Sequence, residues 1–294
     1  MYTIVKRLNC KEMILLKEVQ ALKDFLFNAK KNRKSIGLVP TMGALHDGHI
    51  SLITTSTKKC DLTVCSIFVN PTQFNNSHDF EKYPVTIEKD IELLEESGCD
   101  LLFLPSITEM YPEGMNDNPL YDFGEIENLL EGKFRPGHFQ GVGQIVHKLL
   151  NIVAPDFLFI GQKDFQQCMI LKKLVSLIGA NTKIEIEETY REKSGLAMSS
   201  RNLRLSEQQR EQATAIFRML EFIKNNQQKM MVSTLEKHAS DYLLQNGFER
   251  IDYVTIANAH SLQPLNEINN EVKAVALIAA FIGGIRLIDN MLLN

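Results

Sequence analysis

Short, almost continuously apolar runs recur along the first two thirds of this chain. Runs of this kind are typical of strands whose two faces are both covered by helices. They lie at residues 13–16, 36–39, 62–69, 101–104 and 157–160, and a further strand is predicted around 183–186. Between them, apolar residues recur at helical spacing, as at Val19, Leu22 and Leu26. The alternation predicts an α/β fold, a Rossmann-like, doubly wound and mostly parallel sheet.

The pattern changes after residue 204. Two capping-box pairs follow, and each predicts the start of a helix. They are Ser206 with Gln209 and Ser233 with Glu236. Apolar stretches then predict strands at 251–257 and 272–282 and a short one at 286–288. Because 294 residues exceed the usual size of a single core, we expect a Rossmann-like domain at 1–189 and a smaller α+β domain at 190–294.

The stretch at residues 36–52, IGLVPTMGALHDGHISL, predicts a strand, a turn and a helix. The strand should stop at Pro40, because proline has no N–H to donate to a ladder. Gly43 and Gly48 permit backbone conformations that a Cβ would prevent. Apolar residues return at helical spacing from about Asp47. The N–H groups at the start of such a helix form an anion-binding geometry.

His46 and His49 lie three residues apart at this turn. On the first turn of a helix they would share a face and reach the same phosphate. An imidazolium can neutralise charge on a phosphate and still titrates near neutral pH. The alternative is that one histidine caps the helix and the other lies on the surface. H-x-G-H directly after a buried strand favours a phosphate-handling site.

Polar residues also follow other predicted strands. Pro40, Gln73 and residues 161–164 each come directly after one, and doubly wound sheets bind ligands beyond the carboxyl ends of their strands. We therefore expect these residues to converge on one cleft. Lys163 can bring a positive charge to a phosphate, and the Gln167 amide can hydrogen-bond substrate hydroxyls. The alternative is a solvated turn before a helix.

Two further segments are candidates for ligand contact. Residues 105–141 are rich in proline, glycine and acidic side chains and lack periodicity, and a loop this long is usually functional. Residues 197–202, AMSSRN, offer hydroxyls and a guanidinium that can clasp triphosphate oxygens together. An ordinary serine-rich turn is the alternative for the second segment.

Composition and charge narrow the class of protein. The net charge of −4 argues against nucleic-acid binding through phosphate neutralisation. The five cysteines form no C-x-x-C pair, which predicts a reducing compartment without disulfides or structural zinc. The N-terminus lacks an apolar signal core, and the longest apolar run, at 274–285, is too short to span a bilayer. We expect a cytoplasmic protein with no membrane partner.

The stretch PTMGALHDGH resembles the signature of the pantothenate synthetases, or pantoate–β-alanine ligases, within the H-x-G-H nucleotidyltransferase superfamily. The resemblance runs from about Met13 to the C-terminus and includes GQKDFQQ, AMSSRN and RPGHF. It implies ATP-dependent ligation of (R)-pantoate and β-alanine to pantothenate, for coenzyme A biosynthesis. The implied route passes through a pantoyl-adenylate and releases pyrophosphate and then AMP. The family also implies Mg²⁺ and a homodimer.

The resemblance assigns roles residue by residue. Its catalytic residues correspond to His46, His49 and Lys163, and its pantoate-binding residues to Pro40, Gln73 and Gln167. The nucleotide-binding residues correspond to Thr41, Met42, Gly43, Ala44, Leu45, Asp47, Gly48, Gly161, Gln162, Asp164, Tyr190, Met198, Ser199, Ser200 and Arg201. Asp90 corresponds to the Mg²⁺ ligand. Ordinary core hydrogen bonding is the alternative for Gln73, and a solvated carboxylate is the alternative for Asp90.

Some features stay open at this stage. Tyr190 stands where family members usually have a small aliphatic residue, and the resemblance gives no role for Arg135 or a base for β-alanine. Two other functions fit the same residues: another H-x-G-H nucleotidyltransferase, or a non-catalytic nucleotide-binding protein on the same fold. The second would be stabilised by ATP without forming AMP from any substrate pair.

Overall fold

The protein is described from a computed structural model, which covers residues 3–4, 13–74, 80–115, 118–269 and 271–293. Most of the N-terminal extension at 1–12, including Cys10, lies outside the described residues. Cys60, Cys65, Cys99 and Cys168 are thiols in the part that is described. No helix among these residues is long and apolar enough to cross a membrane.

One sheet organises the first part of the chain. Its strands are β1 (Thr3–Ile4), β2 (Ile14–Leu16), β3 (Ile36–Thr41), β4 (Leu62–Ile67), β5 (Leu101–Phe103), β6 (Phe157–Gly161) and β7 (Lys183–Glu187). The order across the sheet is β1-β2-β5-β4-β3-β6-β7. Strands β2 to β7 pair in parallel, and β1 pairs antiparallel with β2. The predicted Rossmann-like α/β fold is confirmed.

Helices connect these strands. They are α1 (Val19–Lys31), α2 (Asp47–Lys59), α3 (Ile87–Glu96), α4 (Ile107–Met110), α5 (Leu130–Phe134), α6 (His138–Val153) and α7 (Phe165–Leu177). Short 3-10 turns occupy Pro71–Gln73, Gly124–Asn128 and Gln162–Asp164. The segment 105–141, predicted as one loop, thus contains α4, α5 and the first turn of α6.

The C-terminal part builds a second sheet. Its strands β8 (Arg250–Asn258), β9 (Ala274–Ile282) and β10 (Ile285–Leu292) pair antiparallel in the order β10-β9-β8. The helices before them are α8 (Glu207–Ala213), α9 (Ala215–Asn226) and α10 (Val232–Gln245), and a 3-10 turn spans Ser200–Arg204. Strand β10 is longer than the short strand predicted at 286–288, because all of it pairs with β9.

The described chain divides into two compact units. The first comprises Met1–Phe123, Arg135–Gly161 and Ile170–Glu187. The second comprises Gly124–Phe134, Gln162–Met169 and Glu188–Asn294. Two short pieces from the middle of the chain therefore belong with the C-terminal sheet. A domain boundary between residues 189 and 190 stays a prediction.

Strand β3 extends past Pro40, so the predicted stop at this residue is wrong. Its pairing with β4 continues through Thr41. The Ile36 C=O accepts from the Asp156 N–H. The backbone N–H and C=O groups of the even-numbered residues of β3 therefore point towards β6. Pro40 therefore faces β6, whose pairing with β3 ends at Leu38. The missing N–H costs no ladder bond, and the strand continues.

The two predicted capping boxes have different outcomes. The first is confirmed: Ser206 and Gln209 exchange hydrogen bonds of 2.9 and 3.2 Å at the start of α8. The second is wrong, since Ser233 lies inside α10, whose N-cap is Met231. Glu236 Oε1 instead accepts the N–H of a strand residue, Ile256, at 2.8 Å.

Each unit has its own buried core. In the first, α2 and α3 cover the sheet through fully buried side chains that include Ile53, Cys65, Leu94 and Phe159. In the second, α9 and α10 pack on the antiparallel sheet through side chains that include Leu220, Leu235 and Ile278. These covered faces explain why the sequence of β4 and β9 is almost continuously apolar.

Candidate active site

The turn after β3 is held in place by a buried carboxylate. Both oxygens of Asp90 accept backbone hydrogen bonds, from Ala44 N–H at 2.9 Å and Leu45 N–H at 2.8 Å. Gly43 and Ala44 have left-handed φ angles of 81° and 48°, and a Cβ on Gly43 would lie 3.1 Å from Asp90 Oδ2. The bend therefore needs glycine at one position and external bracing at the next.

This geometry does not suit Asp90 as a metal ligand. Its side chain has no exposed surface, and Thr86 Oγ1 adds a third hydrogen bond of 3.0 Å. No group of three or more His, Cys, Asp and Glu side chains that could hold a metal occurs among the described residues. Asp90 braces the turn, so the alternative of a solvated carboxylate does not fit it either.

The two histidines lie together at the start of α2. Their ring centroids are 4.0 Å apart, with an interplanar angle of 32°. His46 is the N-cap residue, and its backbone N–H donates to His49 Nδ1 at 3.3 Å. In a neutral His49 the remaining proton then sits on Nε2, which becomes a donor. The shared face that the spacing predicts is present, and His49 helps to cap the helix as well.

The backbone N–H groups of this turn divide into two sets. Those of Ala44 and Leu45 point to Asp90, so a nucleotide would meet these two residues through other atoms. Asp47 and Gly48 lie on the first turn of α2, where N–H groups have no acceptor within the helix. The anion-binding capacity of the site therefore lies at the start of α2 rather than at the bend before it.

Gln73 is held on several sides after β4. Its side chain is 9% exposed, its Nε2 donates to Met42 Sδ at 2.8 Å, and its Oε1 lies 3.4 Å from Asn70 Nδ2. Its backbone C=O contacts His138 Nδ1 at 2.7 Å. This places the Gln73 amide beside Met42, which directly follows β3. Pro40 lies in β3, and Gln73 lies on the turn after the neighbouring strand β4. The convergence of both with residues 161–164 stays a prediction.

The RPGHF segment supports Gln73 from the side of α6. His138 Nε2 lies 3.0 Å from Arg135 Nη1, while its Nδ1 reaches the Gln73 C=O. A neutral His138 protonated on Nδ1 satisfies both contacts, because Nε2 then accepts from the guanidinium. The sequence left Arg135 without a role and missed His138. Both belong to the short RPGHF segment, and this closeness in the sequence is the signal that could have paired them.

Close packing explains a glycine in α6. A Cβ on Gly141 would lie 2.3 Å from the Thr72 C=O, and the Gly141 C=O accepts from Asn70 Nδ2 at 3.1 Å. Gly141 lies on the first turn of α6, which begins at His138. Only glycine allows the helix to approach the turn that carries Gln73 so closely.

Lys163 lies on the 3-10 turn Gln162–Asp164, directly after β6. Its side chain is 18% exposed, and Nζ lies 3.7 Å from Asp164 Oδ2. The neighbouring Gln166 is 2% exposed and binds the Gly124–Phe134 segment. Its Oε1 accepts the Glu131 N–H at 2.9 Å, and its Nε2 donates to two carbonyls of that segment. The start of α7, which includes half-buried Gln167, is therefore firmly placed within the second unit.

The serine-rich loop follows a short hairpin. The Tyr190 C=O accepts the Met198 N–H at 3.0 Å, and the Tyr190 side chain is 46% exposed. Ser199 is the N-cap of the Ser200–Arg204 turn, with its Oγ accepting the Arg201 N–H at 3.3 Å. Ser200 is buried. The nucleotide roles of these residues stay predictions, as does their convergence with the histidines of the first unit.

The fold and the histidine turn define an α/β protein of the nucleotidyltransferase type, with an H-x-G-H helix start at the carboxyl end of a central strand. A family model described as Pantoate-beta-alanine ligase matches residues 14–292. The chain belongs to the pantoate–β-alanine ligase family, which confirms the resemblance seen in its sequence.

Full-length relatives agree with this family. The pantothenate synthetase of Cytophaga hutchinsonii is 42% identical over 283 residues, covering 96% of this chain and 99% of the relative. That of Porphyromonas gingivalis is 42% identical over 279 residues, covering 95% and 99%.

Solved structures are similar over nearly the whole chain. The pantothenate synthetase from Thermus thermophilus has a TM-score of 0.86 at 35% identity, covering 94% of this chain and 98% of its own. The pantoate-beta-alanine ligase from Francisella tularensis, complexed with beta-gamma ATP and beta-alanine, has a TM-score of 0.81 at 38% identity. That comparison covers 95% of this chain and 97% of the other.

Proposed function

We propose that the protein ligates (R)-pantoate and β-alanine to pantothenate at the expense of ATP. Membership of the family and the full-length relatives support the overall reaction. The observation that carries the mechanism is the His46–His49 pair, with rings 4.0 Å apart on the first turn of α2. Two imidazoles at a helix N-terminus suit a reaction in which negative charge builds on a phosphate.

The first step forms a pantoyl-adenylate. An oxygen of the pantoate carboxylate attacks the α-phosphorus of ATP, and the bond to the bridging oxygen breaks so that pyrophosphate leaves. Holding the reactants in line can contribute about 7–11 kcal/mol to the rate. His49 Nε2–H, His46 and the Lys163 ammonium stabilise the charge on the transferring phosphate.

Amide side chains are suited to bind pantoate. The Gln73 amide is held beside Met42, and Gln167 lies on α7 directly after the buried Gln166. Both offer a neutral donor and a neutral acceptor for the hydroxyls and carboxylate of pantoate. Pro40, one residue before the end of β3, is the third residue proposed to bind pantoate. The nucleotide would lie along the turn from Thr41 to Gly48 and against Gly161, Gln162, Asp164, Tyr190, Met198, Ser199, Ser200 and Arg201.

The second step joins the amine. The nitrogen of β-alanine attacks the carbonyl carbon of the adenylate, and AMP leaves as the bond from carbon to the phosphate oxygen breaks. The amine has to be deprotonated for this attack. We propose that it binds in the neutral form rather than being deprotonated by a dedicated side chain.

Other features of the family complete the proposal. Mg²⁺ would enter with the phosphates of ATP as part of the substrate, since Asp90 is engaged in bracing the turn. We further propose a cytoplasmic homodimer, because the resemblance to this family implies a homodimer and the sequence predicts a cytoplasmic protein. Sedimentation of the purified protein at several concentrations tests the dimer.

Isotope exchange tests the order of the chemistry. Labelled pyrophosphate should enter ATP in the presence of Mg²⁺ and pantoate with β-alanine absent, since adenylate formation needs no amine. Adding β-alanine should divert the adenylate to pantothenate and AMP. Exchange that requires β-alanine would contradict a free adenylate. Exchange supported by a phosphorylated substrate and never by pantoate would favour a different nucleotidyltransferase, and ATP binding without any turnover would favour a non-catalytic protein.

A further inference from the structure

A buried asparagine at the end of the chain holds the backbone around Lys163. Asn290 lies on β10 and is 2% exposed. Its Nδ2 donates to the C=O groups of Gln162 and Lys163 at 2.9 and 2.8 Å. Its Oδ1 accepts from Gln162 Nε2 at 3.2 Å. Both ends of this amide are therefore used on the turn that carries the lysine.

The strand beneath Asn290 is itself fixed. Asn290 pairs with Leu277 of β9, and the neighbouring Asp289, 4% exposed, forms a two-pronged ion pair with the Arg191 guanidinium. Arg191 Nη2 also donates to the Asn290 C=O at 3.3 Å. Burial raises the pKa of Asp289, and the charges of Arg191 and Lys163 oppose that shift. Asn290 thus projects from a strand that is held by its pairing with β9 and by Arg191. The charge of Lys163 acts on the adjacent Asp289.

Arg191 also holds the hairpin at residues 190–198, which leads to the serine-rich loop. Arg191 pairs across the hairpin with Ala197, and its Nη1 donates to the Gly195 C=O at 3.1 Å. Two adjacent residues of β10 therefore hold two loops of the second unit. Asn290 holds the turn with Lys163, and Asp289 holds the hairpin that leads to Ser199.

We infer that Asn290 is a positioning residue for Lys163, fixing the backbone from which the ammonium reaches the phosphates of ATP. This inference rests on the proposed function. A 3-10 turn of three residues has few bonds of its own to define its path, so two bonds to consecutive carbonyls determine where the Lys163 Cα lies. Because Asn290 acts through Lys163, its effect should disappear when the lysine is absent.

A double-mutant cycle tests this dependence. Adenylate formation is measured in a single turnover with enzyme in excess of ATP, for wild type, Asn290→Ala, Lys163→Ala and the double variant. Asn290→Ala should slow the step by about 100-fold, the size of effect that a 1 Å misplacement can have. The double variant should be no more than about threefold slower than Lys163→Ala. Effects that multiply instead would show that Asn290 stabilises the protein without acting through the lysine.

Matched variants keep the test decisive if folding is affected. Asn226 also donates from Nδ2 to a backbone C=O, that of Phe222 on its own helix, so Asn226→Ala should stay within about twofold of wild type. Asn290→Asp keeps the shape but sets a carboxylate oxygen against two carbonyl oxygens, so it should not restore the rate. The inference is overturned if Asn290→Ala or Asn290→Asp forms the adenylate at a rate close to that of an active wild type. A wild type without pantoate-dependent exchange overturns the proposed function instead.

Discussion

Both carboxylate oxygens of Glu131 accept from the Arg286 guanidinium at 2.7 Å, which fastens the Gly124–Phe134 segment to β10. Tyr253 adds a 2.6 Å hydrogen bond to Glu131, and Asp252 accepts from Arg286 Nε at 2.7 Å. Burial, reinforced by the Glu131 charge, raises the pKa of Tyr253, so its hydroxyl stays protonated as a donor. Glu131, Arg286, Asp252 and Tyr253 are therefore joined in one hydrogen-bonded network.

Breaking this network should be costly to stability. Glu131→Ala removes the acceptor that Arg286 Nη1, Arg286 Nη2 and the Tyr253 hydroxyl share, and losing one partner of a buried pair typically costs about 3–5 kcal/mol. Urea denaturation followed by circular dichroism measures the change. Asp241→Ala, which breaks the exposed Lys237–Asp241 pair, is the control and should cost less than about 1 kcal/mol. Equal losses in the two variants would contradict the importance given to the buried network.

His49→Ala should slow adenylate formation far more than it weakens ATP binding. Its Nε2–H donates to an oxygen on which charge builds mainly as the α-phosphate reacts, and losing one such donor typically costs about 2.7–4 kcal/mol, or 100- to 1,000-fold in rate. Because His49 Nδ1 also accepts the His46 N–H, His49→Asn is a useful companion that can retain an acceptor without the Nε2–H. Either variant with more than about a third of wild-type turnover would reject the role.

Asp90→Asn should leave the dependence on Mg²⁺ unchanged. If the carboxylate braces Ala44 and Leu45, the Mg²⁺ concentration for half-maximal exchange should stay within about twofold of wild type, while activity and stability fall. An unmet buried N–H typically costs about 1–3 kcal/mol, and the amide can accept only one of the two bonds well. A large rise in the required Mg²⁺, with stability intact, would restore Asp90 as a metal ligand.

Glu236 should make the protein less stable as the pH rises. Burial raises the pKa of this carboxyl, and the hydrogen bond from the Ile256 N–H only partly opposes the shift. The folded state therefore holds the proton more tightly than the unfolded chain, so stability declines as the pH rises from the ordinary carboxyl pKa, about 4.3, through the raised value.

Glu236→Gln removes this titration and keeps an acceptor for the Ile256 N–H. The variant should be more stable than wild type at pH 7, and the difference should shrink towards pH 4. Unfolding free energies across that range, compared with Glu221→Gln on the exposed face of α9, provide the check. A variant that is less stable than wild type at pH 7 would contradict the expected sign.

Hydrogen exchange should distinguish two segments that the sequence presents alike as candidates for ligand contact. Residues 199–201 should exchange quickly alone and slow on addition of ATP and pantoate. The Gly124–Phe134 segment should be protected without ligand, because Gln166 and Arg286 hold it. Exchange that is unchanged by ligands at 199–201 would count against a closing loop, and rapid exchange at Gly124–Phe134 would contradict the anchoring.

Local patterns predicted most of the framework. Apolar runs located β2 to β6 closely, because a strand covered on both faces has to be apolar throughout, and H-x-G-H located the start of α2. The errors arose where distant pairing decided the outcome. Pro40 stays in its strand because the pairing of β3 with β6 ends at Leu38, so no bond to β6 needs its missing N–H. Glu236 leaves its capping box for a strand residue twenty positions away.

The supports of the candidate site were harder to predict for the same reason. Nothing near Lys163 in the sequence points to Asn290, which is 127 residues away. Gln166 and Glu131 are 35 residues apart and appear only as ordinary polar positions. Asp90 was identified by its position, but its bracing of the turn could not be, since a sequence cannot show that two backbone N–H groups reach its carboxylate.

The bonds from Asn290 also bear on how the protein is made. During translation, the first unit can acquire its full set of strands once residue 187 has left the ribosome, whereas the turn with Lys163 has to wait for β10. A nascent or truncated chain without β10 would thus carry a formed parallel sheet and intact histidines beside a poorly defined lysine. Ligation competence would arrive with the final strand rather than growing in proportion to chain length.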